Sequence, residues 1–404
     1  MQNMVGGQVL KIANWATKIK NNYLFQTVSD KLEKFREKNP EKKIINMGIG
    51  DVSLPIADKV IKACVSASNE MGKISSFRGY SPNGGYDFLK QKIKYEYKNL
   101  GILIDTDEIF ISDGAKSDMS NILDIFSHEN TCLIPDPVYP VYLDTSIMND
   151  MKIEFADATE QNNFLPEPDF NSSKKIDIIY ICSPNNPTGA AYTKTQIKKW
   201  VDYANSCGAV ILYDAAYEVF IEDNNHCRSI FEIPESKTCA IEFKSFSKSA
   251  GFTGMRCGYS IVPKNLKRES ISLNYLWNRR HSTKFNGVSY IIQRAAEASL
   301  SDEGKLECQK SIKYYKQNSK LISEILDKLS IKFFGGLNSP YIWLKCPNSM
   351  KSWEFFDYLL QNLNIVGTPG SGFGKNGENY FRLSCFASRE DTQEACSRLK
   401  KINI

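Results

Sequence analysis

One lysine in this 404-residue sequence stands among side chains that suit a phosphate group. Ser245, Ser247, Lys248 and Arg256 follow the apolar run of residues 239–243, which predicts a buried strand. Two hydroxyls and a forked guanidinium can hold a phosphate dianion. A lysine crowded by a second cation should have a lowered pKa and act as an amine nucleophile. The alternative interpretation is an ordinary basic loop after a strand.

A phosphate site beside a nucleophilic lysine is what pyridoxal phosphate requires, and other residues suit the ring of that cofactor. Asp214 follows the apolar run 209–213, where its carboxylate could pair with a pyridinium nitrogen or cap a helix. Tyr139 offers a flat face for stacking on the ring. Asn186 lies in a proline-rich loop, where its amide could donate to a ring oxygen or belong to a plain turn.

Further residues could bind anions. A predicted strand, turn and helix over residues 108–126 place free backbone N–H groups near Ala115 and Lys116. Tyr80 lies in a loop rich in glycine and aromatic residues, where it could pack internally or present its hydroxyl to an anion. Arg382 lies on an apolar strand and is either a structural charge or a carboxylate clamp. Because an unpaired buried arginine is costly, the clamp is favoured.

Strands must position these residues. From residue 44 to residue 262, apolar strands alternate with amphipathic helices, which predicts an α/β fold with a doubly wound, mainly parallel sheet. The pattern then becomes helical over residues 266–280 and 289–329, and shorter α+β elements follow. The length predicts more than one core. We therefore expect an N-terminal arm and helix (1–45) packed on the small domain, a large cofactor-binding domain (46–288) and a small C-terminal domain (289–404).

Composition excludes several classes of protein. Hydrophobic residues make up 42% and charged residues 24% of the chain, and the net charge of +5 is too small to indicate nucleic-acid binding. No run approaches the roughly 20 apolar residues of a membrane span. The 11 cysteines form no Cys-x-x-Cys pair, which favours reduced thiols and a cytoplasmic location. Three dispersed histidines argue against a histidine-based metal site. The first 29 residues are expected to form a short surface arm rather than a transit peptide.

The glycine-rich segment 366–375 resembles a phosphate-binding loop of nucleotide-binding proteins. Two positions of that motif differ, because Pro369 replaces the first glycine and Asn376 replaces the serine or threonine. Nucleotide binding is therefore rejected.

The order and spacing of these motifs resemble the fold-type-I, pyridoxal-phosphate-dependent aminotransferases. The resemblance rests on Tyr139, residues 186–189, Asp214 with Tyr217, residues 245–248 and Arg256. Within that group, longer strings are similar to the LL-diaminopimelate aminotransferase family. They include residues 77–80, 112–116, 136–142, 182–187, 277–280, 283–290 and 366–374, and the similarity runs from about Tyr23 to the C-terminus.

The resemblance implies a role for each matching residue. Lys248 would bind the cofactor covalently and move a proton as general base and acid, Asp214 would keep the ring nitrogen protonated, and Tyr217 would hold the ring oxygen. The cofactor would also be bound by Tyr80, Ala115, Lys116, Tyr139, Asn186, Ser245, Ser247, Arg256 and Asn286. The substrate would be bound by Tyr23, Gly50, Lys116, Tyr139, Asn186, Asn286 and Arg382, with Arg382 as the carboxylate clamp.

The implied reaction is transamination between LL-2,6-diaminopimelate and 2-oxoglutarate in lysine biosynthesis, by a homodimer with shared active sites. One departure puts the substrate in question: the family often has an acidic residue where this chain has Asn83. Alternatives are an aminotransferase for other amino acids and, more distantly, a non-catalytic regulator of the same fold.

Overall fold

The computed structural model describes residues 11–19, 23–48 and 50–402, so the predicted N-terminal arm lies partly outside the described residues. The strands are, in chain order, β1 (Ile45–Asn46), β2 (Ile109–Ser112), β3 (Thr131–Asp136), β4 (Lys152–Asp157), β5 (Ile178–Cys182), β6 (Val210–Asp214), β7 (Ala240–Ser245), β8 (Gly258–Ile261), β9 (Lys267–Arg268), β10 (Ile271–Ser272), β11 (Phe333–Gly335), β12 (Tyr341–Lys345), β13 (Ile365–Val366), β14 (Thr368–Pro369) and β15 (Tyr380–Ser384). The α-helices are α1 (Leu24–Lys38), α2 (Asp58–Met71), α3 (Asp87–Asn99), α4 (Ala115–Asn121), α5 (Pro140–Met148), α6 (Lys194–Cys207), α7 (Phe246–Ser249), α8 (Leu273–Lys284), α9 (Tyr290–Ser299), α10 (Asp302–Lys328), α11 (Ser352–Tyr358) and α12 (Arg389–Leu399).

Seven strands form the large sheet in the order β2-β8-β7-β6-β5-β3-β4. The strands β3 to β7 pair in parallel, whereas β8 runs antiparallel to both β7 and β2. Alternate side chains of the central strands enter two different core clusters: Ile179 and Ile211 face one, Tyr180 and Leu212 the other. Because both faces are covered, these strands are apolar along their length. The predicted doubly wound, mainly parallel sheet is confirmed.

The second sheet is antiparallel, with the order β11-β12-β15-β14. It packs with α10, α11 and α12 around a third cluster, which includes Ile322, Ile342 and Leu383. Leu32 of α1 enters the same cluster, and β1 pairs in parallel with β13. The segment before the large sheet therefore packs with the C-terminal part of the chain.

The predicted domain boundary at residue 288 stays a prediction. The first helix beyond it, α9, packs against α2 and α3 and contributes Ala295 and Ala296 to a core cluster of the large sheet.

One predicted helix, over residues 266–280, begins later than expected. Residues 267–272 form a hairpin of β9 and β10, because Glu269 and Ser270 adopt left-handed conformations (φ 51° and 65°) that turn the chain. Ser272 then caps α8 by accepting a hydrogen bond from the Tyr275 N–H. The predicted helical stretch 289–329 consists of two helices, α9 and α10, since Ser301 caps a new helix in the same way.

The string 136–142, which is similar to the family, ends inside a helix. Pro140 is the first residue of α5, a position where its fixed φ and missing N–H favour a helix start.

Among the residues described, no helix is both long and apolar enough to span a bilayer.

Candidate active site

A cavity of about 670 Å³ lies at the carboxyl ends of the large sheet, where β12 and β15 of the second sheet approach. Open α/β sheets bind their ligands at this edge. Most of the predicted site residues line it: Gly50, Ala115, Lys116, Tyr139, Asn186, Asp214, Tyr217, Ser245, Ser247, Lys248, Arg256 and Arg382. Residues that are far apart in the sequence are thus brought to one cavity.

Lys248 lies on the short helix α7, which follows β7 directly. Its Nζ donates a hydrogen bond to the carbonyl of Gly50, and no carboxylate forms an ion pair with it in the described chain. Burial lowers the pKa of Lys248 from 10.5 to about 8. Asp51 opposes that shift, and the positive charges of Arg382 and Arg256 add to it. A substantial fraction of this amine is therefore neutral near pH 8, as a nucleophile or general base must be.

The low pKa of Lys248 predicts how fast the cofactor-free protein reacts with pyridoxal phosphate. The neutral amine is the nucleophile, so the rate should rise about tenfold per pH unit below pH 8 and level off above it. Stopped-flow absorbance on mixing, from pH 6.5 to 10, measures this profile. A rate that keeps rising to pH 10 would contradict the lowered pKa, and Lys248→Ala should lack the signal.

Asp214 ends β6 with its carboxylate buried beneath the cavity. Its Oδ2 accepts a hydrogen bond from the Tyr142 hydroxyl (2.6 Å), and its Oδ1 accepts one from the Ala216 N–H (3.0 Å). Burial raises the pKa of this carboxyl, and the two hydrogen bonds only partly oppose that shift. No cation pairs with the carboxylate in the described part of the chain. An arriving cation would stabilise the ionised form. The helix-capping alternative is not observed, because Oδ1 closes a turn to Ala216 and the next helical turn begins later, after Tyr217.

The predicted phosphate cradle is assembled around Arg256. Its Nη1 donates to the Ser247 hydroxyl (3.2 Å) and to the Thr253 carbonyl (3.2 Å). Ser245 accepts a hydrogen bond from the Ser247 N–H (3.1 Å), which fixes the start of α7. Gly114 is in close contact with this group, because a Cβ built there would lie 2.5 Å from Nη2 of Arg256. The guanidinium, the hydroxyls and the start of α4 therefore face one small volume.

Gly114→Ala is expected to weaken pyridoxal phosphate binding at least about tenfold. The added methyl group would displace Arg256, and the backbone φ of 139° disfavours any residue with a Cβ. Equilibrium dialysis of the cofactor measures the change. Gly101→Ala is the matched control, because Gly101 also has a positive φ (77°) but has open space around it. Equal cofactor affinity in the two variants would contradict the cradle.

Arg382 is buried on β15, and its guanidinium contacts neutral groups. Nη1 donates to Oδ1 of Asn186 (2.6 Å), and Nη2 donates to the carbonyl of Gly48 (2.5 Å). Nε has no hydrogen-bond partner among the described residues, and no carboxylate pairs with Arg382 there. A buried cation without an anion is costly. The surroundings therefore favour the carboxylate clamp over the structural charge.

Two tyrosines for which the sequence predicts no role complete the site. Tyr142 donates to Asp214, and the hydroxyls of Tyr341 and Tyr217 share a hydrogen bond (2.8 Å). Tyr142 could have been found, since it is the second tyrosine of the 136–142 motif. Tyr341 carries no local signal, because its partner lies 124 residues away.

Three predicted residues do not line the cavity. Tyr80 is 85% exposed in a single chain, so the interpretation that it packs internally is wrong. Asn286 is also exposed. Tyr23 lies at the edge of the site, where the Lys116 Nζ is 5.2 Å from the centre of its ring.

The glycine-rich segment that resembled a nucleotide-binding loop contacts Asp136 at the end of β3. The Asp136 carboxylate accepts hydrogen bonds from the N–H groups of Lys375 (3.1 Å) and Asn376 (3.2 Å). A Cβ at Gly374 would lie 1.9 Å from this carboxylate, so only glycine allows the contact. The loop therefore binds an aspartate of the same chain.

Comparison with known proteins agrees with the assembled site. Residues 42–399 match the family model described as aminotransferase class I and II. The chain belongs to the class I and II aminotransferases. The family predicted from the motifs is confirmed, and with it the class of enzyme.

Relatives of this aminotransferase extend over nearly its whole length. A protein of Lachnospira eligens named LL-diaminopimelate aminotransferase is 48% identical and covers 98% of this chain and 100% of its own. One of Methanosphaera stadtmanae with the same name is 47% identical, with 98% and 100% covered. The solved structure of L,L-diaminopimelate aminotransferase from Chlamydomonas reinhardtii superimposes with a TM-score of 0.92 at 37% identity, covering 98% of this chain and 99% of that one.

Proposed function

We propose that this aminotransferase transfers an amino group between LL-2,6-diaminopimelate and 2-oxoglutarate in lysine biosynthesis. The observation that carries the proposal is the near-full-length similarity to proteins named for this substrate. The cavity supports it independently, because Arg382 and Lys116 both line it and neither forms an ion pair with a carboxylate in the described chain. Two cations suit a substrate with two carboxylates. Diaminopimelate and 2-oxoglutarate each have two carboxylates.

The residues present fit pyridoxal phosphate as the cofactor. The buried Asp214 carboxylate lacks a cationic partner, and Lys248 lacks an anionic one, among the residues described. A pyridinium nitrogen would supply a cation for Asp214, and an aldehyde would supply a group with which the amine of Lys248 can react. Ser245, Ser247 and Arg256 would hold the phosphate, Tyr139 would stack on the ring, and Tyr217 and Asn186 would face the ring oxygen. When bound, the cofactor supplies an electron-withdrawing ring that stabilises negative charge at the substrate's α-carbon.

The chain's own residues would supply binding and proton transfer. Arg382 would hold the α-carboxylate, which orients the Cα–H bond towards Lys248. Nζ of Lys248 would accept the proton from the substrate's α-carbon and later return it as a general acid. Asp214 would stay ionised and hold a proton on the ring nitrogen. Amino donor and oxo acid would use the same cavity in turn, which gives ping-pong kinetics.

A homodimer with shared active sites is part of the proposal. Tyr80 and Asn286 are exposed on one chain although the family resemblance gives them roles at the cofactor. A second copy would bring them to its neighbour's cavity. Sedimentation equilibrium should give about twice the chain mass of 45.8 kDa.

The eleven free cysteines support a reducing, cytoplasmic compartment.

Glutamate formation from the purified protein tests the substrate. The assay contains pyridoxal phosphate and 2-oxoglutarate, with LL-diaminopimelate, meso-diaminopimelate and lysine as separate donors. We expect activity with the LL isomer and little with the others. Activity only with other amino donors would leave the family unchanged and overturn the substrate.

Asn83 marks where the substrate preference of this chain could differ from its relatives. Its side chain is exposed and donates to Asn278 (2.5 Å) and Ser282 (2.7 Å). If an acidic residue here contacts the substrate's distal amino group, Asn83→Glu should lower KM for the LL isomer. An unchanged KM would contradict a contact between position 83 and the distal amino group.

A further inference from the structure

Tyr341 contacts three parts of the candidate site at once. It is the first residue of β12 and is 1% exposed. Its hydroxyl shares a hydrogen bond with Tyr217 (2.8 Å), and its ring lies 4.4 Å from the guanidinium carbon of Arg382. A Cβ at Gly50 would lie 2.7 Å from the hydroxyl oxygen, so glycine leaves room for it. One side chain of the second sheet thus contacts both Tyr217, which is assigned to the cofactor, and Arg382, which is assigned to the substrate.

The two hydroxyls have a limited number of protons to donate. Each tyrosine has one O–H, and burial raises the pKa of both, so both are neutral at physiological pH. When Tyr217 donates its proton to an acceptor in the cavity, only Tyr341 can be the donor between the two hydroxyls. The hydrogen bond from Tyr341 then polarises the O–H of Tyr217 and strengthens the hydrogen bond that Tyr217 donates to its own acceptor.

We propose that Tyr341 is a positioning residue: its hydroxyl donates to Tyr217 and strengthens the hydrogen bond from Tyr217 to the cofactor's ring oxygen, while its ring supports Arg382. This inference rests on the proposed role of Tyr217 at the cofactor, and it does not depend on which amino acid is the substrate. It predicts that Tyr341 acts on the cofactor only through Tyr217.

The test is a pH titration of the visible absorbance of bound cofactor in the holoenzyme. A donor to the ring oxygen favours its anionic form, so Tyr341→Phe should move the midpoint upwards by about 0.3 to 1 pH unit. The phenylalanine keeps the ring beneath Arg382, so KM for the amino donor should change less than about twofold. Tyr192→Phe is the control for losing a buried hydroxyl, because Tyr192 donates to the Pro166 carbonyl (2.9 Å) away from the cavity.

The Tyr217→Phe background decides whether Tyr341 acts through Tyr217. There, Tyr341→Phe should cause no further shift of the midpoint, because the intermediate hydroxyl is gone. An equal shift in both backgrounds, or none in the wild-type background, would overturn the proposal. A wild-type protein with no cofactor absorbance would overturn the cofactor assignment as well, which separates that failure from the failure of Tyr341 alone.

Discussion

Lys248→Ala is expected to lower transamination at least about 10⁴-fold while the protein stays folded. The variant loses both the amine that reacts with the cofactor and the group that transfers the proton, and acid–base catalysis alone contributes about 10²- to 10⁴-fold. Folding should survive, because the Lys248 Nζ makes one hydrogen bond, to the Gly50 carbonyl, and no ion pair in the described chain. Single-turnover rates and thermal unfolding measure the two effects.

The controls for Lys248→Ala separate chemistry from charge. Lys267→Ala removes an exposed lysine outside the cavity and should leave turnover unchanged. A small primary amine added to Lys248→Ala should restore part of the activity, since it can transfer the proton in place of Nζ. Turnover within about tenfold of wild type, without added amine, would contradict the assignment of Lys248.

Arg382→Ala is expected to lower kcat/KM for the amino donor about 10³-fold. Removing one partner of a buried charge contact costs on the order of 3–5 kcal/mol, and each 1.36 kcal/mol corresponds to a factor of ten. Arg382→Lys should recover little of this loss, because an ammonium cannot reproduce the forked contact with a carboxylate. Steady-state kinetics with diaminopimelate measure both variants.

A donor without an α-carboxylate shows whether Arg382 is a clamp or a structural charge. The slow reaction of a simple alkylamine should be the same in Arg382→Ala and wild type. Arg389→Ala is the matched control, because Arg389 also lies over a tyrosine ring (Tyr314, 4.8 Å) but outside the cavity. Equal losses with both kinds of donor would indicate a structural role.

The sequence predicts the parts of this fold whose signals are local. β6 lies within one residue of the apolar run 209–213, because a strand covered on both faces must be apolar throughout. The side chains that follow such strands reach the same sheet edge, so the sequence alone suffices to predict that Asp214, Asn186 and Lys248 lie together. The hairpin at 267–272 was missed because its turn residues, Glu269 and Ser270, adopt a conformation that neither residue type signals.

Contacts between distant elements could not be predicted from the sequence. The hydrogen bond between Tyr217 and Tyr341 joins a loop after β6 to β12, and the bond from Arg382 to Asn186 joins residues 196 positions apart. Periodicity indicates which face of an element is buried, but not which side chains of other elements contact that face. Tyr80 and Asn286 show the same limit, because the role assigned to each needs a second copy of the chain.

The contact of Asp136 with the glycine-rich loop has a consequence for anion competition. Its carboxylate is fixed at the end of β3, and the loop is fixed between β14 and β15, so the carboxylate meets the N–H groups of Lys375 and Asn376 at a high effective concentration. A free phosphate at millimolar concentration would have to displace an intramolecular competitor that is always present. The loop that resembles a nucleotide site is thus occupied by an aspartate of its own chain, and free phosphate should compete with the cofactor at the cradle around Arg256.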